Sequence, residues 1–113
     1  EIGSRAGGAC IGSDLVQLST GYDFMKMVID ISCGKAPDFS IFPHYKHAFI
    51  RFVVCKEDLD RINRYKQKYP NSLIRESTIL DEFPKDIIDN TGRYAYAIFG
   101  FNSENIDRTI FMV

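Results

Sequence analysis

Residues 47–69 read HAFIRFVVCKEDLDRINRYKQKY, and the change of period inside this run decides the fold. From His47 to Cys55 the side chains alternate, with Ala48, Ile50, Phe52 and Val54 on one side and Phe49, Arg51 and Val53 on the other. A period of two is that of a strand. From Glu57 to Tyr69 the apolar positions become Leu59, Ile62 and Tyr69 with charges between them, which predicts a helix. Glu57–Arg61 and Asp60–Arg64 are four apart with the acid first, the favourable order, at about 0.2–0.5 kcal/mol per pair. Pro70 and Asn71 end that helix. Leu73–Leu80 and Arg93–Phe101 (RYAYAIFGF) read as two further strands. Ser103 suits the N-cap of a last helix bearing Glu104 and Arg108. Residues 47–113 therefore predict strand, helix, strand, strand, helix. A helix between two strands suggests a crossover, so the class is α+β: a small antiparallel or mixed sheet with helices on one face.

Working back from residue 47, the segment 36–45 (APDFSIFPHY) has no period, because Pro37 and Pro43 interrupt both helix and strand. Before it, Asp23–Cys33 is the clearest helix in the chain. Phe24, Met25, Met27, Val28, Ile29 and Ile31 cover most of its circumference, leaving Lys26 and Asp30 as a polar stripe. A helix this apolar is expected to be buried on most faces. Gly34 is a suitable C′ residue, and Pro37 blocks continuation. The first 34 residues contain six glycines, at positions 3, 7, 8, 12, 21 and 34, and few charges. One domain with two unlike halves is the natural division.

The whole chain has 113 residues, of which 45% are hydrophobic and 26% charged, the composition of a globular domain with a real core. Fourteen Lys and Arg stand against 15 Asp and Glu, a net charge of −1. That balance argues against a nucleic-acid binder working by counterion release. No apolar run approaches the roughly 20 residues of a membrane-spanning helix. Cys10, Cys33 and Cys55 are odd in number and widely spaced, without a CxxC pair. They are expected to be reduced thiols acting as small core residues, which suits a cytoplasmic protein. Glu1 at the start and the apolar Ile110-Phe111-Met112-Val113 at the end suggest a piece of something larger.

The residues best suited to chemistry lie at the start, in Glu1-Ile2-Gly3-Ser4-Arg5-Ala6-Gly7-Gly8. A carboxylate is a hard oxygen ligand suited to Mg²⁺ beside phosphate oxygens. A guanidinium four residues later suits phosphate or carboxylate through paired hydrogen bonds. The Gly-Gly step lets a backbone approach a ligand closely. The plain alternative is a surface Glu and Arg followed by a simple turn.

The segment EIGSRAGGACIGSDLVQLSTGYDFMKMVIDISCGK (residues 1–35) resembles the end of the catalytic domain in ATP-grasp ligases. It is most similar to the branch holding L-amino-acid ligases and carbamoyl-phosphate-synthase-like or biotin-carboxylase-like ligases. That family carries an E-x-N/G-x-R stretch, often followed by Gly-Gly, on the last core strand of the ATP site. A Thr-Gly then precedes a helix with a Gly-containing turn, matched here by Thr20-Gly21 and Gly34. An "AIRF" strand follows, matched by Ala48-Phe49-Ile50-Arg51-Phe52. The likeness is strong in 1–35 and weak in 56–113. It implies an end of the catalytic core at 1–35, a connection at 36–46 and a C-terminal α+β subdomain at 47–113.

The resemblance also implies roles. Glu1 would bind Mg²⁺ against the phosphates of ATP, Arg5 would be the catalytic residue holding the transferred phosphoryl group, and both would contact the nucleotide. Gly7 and Gly8 would border the substrate pocket. Gly3 stands where the commonest form of the motif has Asn, as in the amino-acid-ligase branch. The implied function is ATP- and Mg-dependent joining of a carboxylate to an amine through an acyl phosphate, the charge on the moving phosphoryl being stabilised by metal and guanidinium. The lid, the phosphate-binding lysines and another metal carboxylate would belong to upstream lobes, which are the implied partners beside the carboxylate and amine substrates. No P-loop or GxGxxG takes their place in this sequence. The chain by itself is thus expected to be inactive and, with its apolar N-terminal face uncovered, to self-associate. The competing class is a non-catalytic α+β regulatory or assembly domain of ferredoxin-like pattern, drawn from residues 47–113.

Other candidates are weaker. His44 and His47 have a spacing compatible with metal but no accompanying cluster, and read as surface residues. Tyr94, Tyr96, Phe99 and Phe101 suggest either an RNA-stacking sheet or a core, and the lack of basic residues among them favours the core. Arg51, on an otherwise apolar strand, is either a salt-bridge partner or an edge residue. Cys10 has no neighbour in sequence that would activate it, and reads as packing.

Overall fold

The computed structural model describes residue 8, residues 10–77 and residues 95–102. The chain divides into two compact units, one formed by residues up to 48 together with those from 101 onward, the other by residues 49–100.

In the first unit a π-helical turn, Ile11–Leu15, runs directly into the short helix α1 (Val16–Thr20). Gly21, with φ +82°, ends it in the left-handed conformation that glycine adopts without steric cost. The helix α2 (Phe24–Ser32) follows. Asp23 is its N-cap, the carboxylate accepting from the Lys26 N–H at 2.9 Å, and Gly34, at φ +75°, follows its C-cap. Lys26 and Asp30 lie on one stripe, as expected, and form an ion pair. The expectation that α2 is buried on most faces does not hold. Met25, Val28, Ile29 and Ile31 are exposed, and no residue of the helix is fully buried. Among the described elements α2 makes its main contact with the Ile11–Leu15 turn, which covers only one side of the helix. Residues 35–46 are irregular, as their prolines require.

The strand β1 (His47–Val53) leads through an extended Cys55 into the helix α3 (Lys56–Lys68). Glu57 and Asp58 lie in its first turn and Lys66 and Lys68 in its last, each sign at the end where the helix dipole favours it. The strands β2 (Leu73–Glu76) and β3 (Ala95–Phe101) complete a three-stranded antiparallel sheet in the order β1-β3-β2. The connection from β1 through α3 to β2 is therefore the predicted crossover, with β3 inserted between its two strands. The class is α+β. Leu73 pairs with Phe99, Arg75 with Ile98 and Glu76 with Ala97, so Ile74 is an extra residue in a bulge. Thr78–Leu80, Arg93, Tyr94 and the predicted helix after Ser103 lie outside the described residues.

Central position explains the burial of β3. Ala95, Ala97, Ile98, Phe99 and Phe101 are all buried, so both faces of the strand are covered. Phe99 is fully enclosed, with its ring stacked on Phe49 at 5.3 Å and edge-on to Tyr65 at 6.3 Å. Ile62 of α3 and Val53 of β1 belong to the same core. Neither of the two carboxylate pairs predicted within α3 forms as expected. Arg61 reaches Asp58 at 3.6 Å, and Arg64 donates to the main-chain carbonyl of Asp60. Among the described residues no helix is long and apolar enough to cross a membrane.

Candidate functional site

Glu1, Arg5 and Gly7, for which the resemblance to ATP-grasp ligases implies metal, phosphate and substrate contacts, lie outside the described residues. Gly8, their neighbour, is exposed, and a side chain placed on it would meet nothing within 4 Å. Its carbonyl accepts from the Ile11 N–H at 3.2 Å, closing a turn. Cys10 follows at φ +64°, a left-handed conformation that few residues other than glycine adopt. The Cys10 carbonyl then accepts from both the Asp14 and the Leu15 N–H, at 3.1 and 3.0 Å, and the second of these defines the π-helical turn. Ser13 Oγ donates to the Asp14 carboxylate at 2.6 Å. A Cβ on Gly12 would lie 3.1 Å from the Phe24 ring, so a larger residue there would require that ring to shift by a few tenths of an ångström.

The matched Thr20-Gly21 step is held tightly. Thr20 Oγ1 donates to the Val16 carbonyl at 2.6 Å and accepts from the Tyr22 N–H at 3.2 Å. A Cβ on Gly21 would fall 2.3 Å from the Phe42 carbonyl oxygen, so only glycine lets the two backbones meet. The Tyr45 N–H donates to the Leu18 carbonyl and the Tyr22 hydroxyl to that of Phe39, each at 3.2 Å. The irregular connection is thereby fastened to the end of α1.

The most buried charge among the described residues is Asp58, 6% exposed, and the sequence reading did not single it out. It is the third residue of α3 and reaches back over the helix start. Its carboxylate accepts from Arg51 Nη2 at 3.0 Å, from the Val54 N–H at 3.3 Å and from the Cys55 thiol at 3.4 Å. Burial alone pushes the Asp58 carboxyl up. The Val54 N–H, the Arg51 guanidinium and the Cys55 thiol together outweigh that and hold it below the ordinary 3.8. Arg51 is thus the salt-bridge partner, and among the described strands it also lies on an edge one. Two signals pointed to this arrangement: an arginine on an apolar strand, and an acid at the third position of the following helix, where a carboxylate can reach back to the cap. Every buried side-chain nitrogen and oxygen among the described residues has a partner, so the cluster is a closed structural joint.

The three cysteines are not core residues. Cys33 and Cys55 are exposed and Cys10 half-buried, because each sits at a helix boundary where the chain turns at the surface. At Cys55 the Asp58 N–H favours the thiolate, yet the Glu57 and Asp58 carboxylates and partial desolvation outweigh it and raise the thiol above 9.0. His44 and His47 are exposed. Phe99 and Phe101 are core, and Tyr96 is half-buried with Arg75 5.7 Å from its ring. Among the described residues no three His, Cys, Asp or Glu side chains gather as a metal site. No protein-family model, curated protein or solved structure matches the chain.

Proposed function

We propose that this chain is the C-terminal portion of an ATP-grasp carboxylate–amine ligase. The observation that carries the reading is the run from Glu1 to Lys35. There Glu-x-Gly-x-Arg with Gly7-Gly8 is followed, in the family's order, by Thr20-Gly21, by α2 and by Gly34. Mg-ATP, when bound, supplies the phosphoryl group that activates the carboxylate. One carboxylate beside substrate phosphates is a donor set that Mg²⁺ accepts, and Glu1 would provide it. Arg5 would grip the phosphoryl oxygens through its planar fork, which a lysine cannot reproduce. The open space at Gly8 suits a backbone that borders a substrate.

The test uses a polypeptide in which these residues are joined to the ATP-grasp lobes. Glu1→Gln keeps the shape and removes the charge, while Arg5→Lys keeps the charge and removes the fork. Each is expected to lower kcat by about 100-fold or more, the scale of a contact made to charge developing in the transition state, with the melting temperature unchanged. Near-normal turnover in a folded Glu1→Gln enzyme would overturn the assignment. A second reading, a non-catalytic regulatory or assembly module, draws on the β-α-β unit split by β3, a ferredoxin-like pattern. A fold pattern of this kind is shared by many functions, so the residues of the first 35 positions weigh more.

A further inference from the structure

We draw no further inference here: the strongest candidate, the exposed apolar face of α2 formed by Met25, Val28, Ile29 and Ile31, carries nothing because nothing in the structure shows what covers it.

Discussion

At the scale of single residues, Asp58 and Gly21 make the sharpest claims. Asp58 accepts from the Arg51 guanidinium, the Val54 N–H and the Cys55 thiol, with the Arg61 guanidinium at 3.6 Å, inside a joint that water barely reaches. Asp58→Asn removes the charge and is expected to cost about 1.5–3 kcal/mol at neutral pH, the value of hydrogen bonds to a charged group. Because the folded carboxyl titrates below 3.8, the unfolded chain binds its proton first as pH falls. The stabilisation is therefore complete above about pH 4 and is lost as pH drops through the folded value. Urea denaturation from pH 7 to pH 2 should show the gap between wild type and Asp58→Asn closing at the acid end; a gap constant with pH would refute the charge argument. Gly21 and Gly34 share a positive φ but differ in surroundings. Gly34→Ala should cost only the left-handed backbone penalty, roughly 1–2 kcal/mol. Gly21→Ala must also push back the Phe42 carbonyl, and should cost at least about 1 kcal/mol more by the same measurement. Equal losses would mean that the Gly21–Phe42 approach relaxes freely.

Among the elements, period alone located α2, β1, α3 and the cores of β2 and β3, because each carries one unbroken pattern. What period could not reveal was which faces find neighbours. The apolar residues of α2 define a helix, but their burial depends on packing partners that the pattern does not encode. The bulge at Ile74 was hidden for a similar reason, since it exists only in the pairing of β2 with β3. The Asp58 joint was half legible: Arg51 stood out, and its partner did not. The Lys66–Glu76 pair links α3 to β2 at 2.7 Å, but both side chains are about a third exposed and its worth is about 0.2–1 kcal/mol. The weight of this unit rests instead on Phe99, held between β1 and α3. Phe99→Ala is expected to cost about 3–5 kcal/mol, as for other enclosed aromatics. Phe42→Ala, at 84% exposure, should stay within about 0.5 kcal/mol of wild type. Chemical denaturation of both variants checks the contrast, and a small loss at Phe99 would show that the core does not depend on its stack with Phe49.

For the whole molecule, the question is whether 113 residues are enough to hold a nucleotide. The sequence offers one carboxylate and one guanidinium in the proposed site, on a chain of net charge −1. A charged hydrogen bond contributes about 1.5–3 kcal/mol net, so two such contacts reach about 6 kcal/mol at most. Micromolar affinity requires about 8.2 kcal/mol, after the cost of immobilising the ligand has been met. The isolated chain should therefore fold but show no micromolar Mg-ATP binding by titration calorimetry. On the ligase reading, the same titration on a polypeptide that also carries the ATP-grasp lobes should show binding, because the lid and phosphate-binding lysines would be restored. Micromolar binding by the 113 residues alone would mean that the nucleotide contacts lie within this chain, contrary to the proposed division of the site. No binding by either protein would remove the ligase reading and leave the split β-α-β module as the better account of residues 47–113. Only the pair of measurements separates these cases, since silence from the isolated chain is what both readings expect.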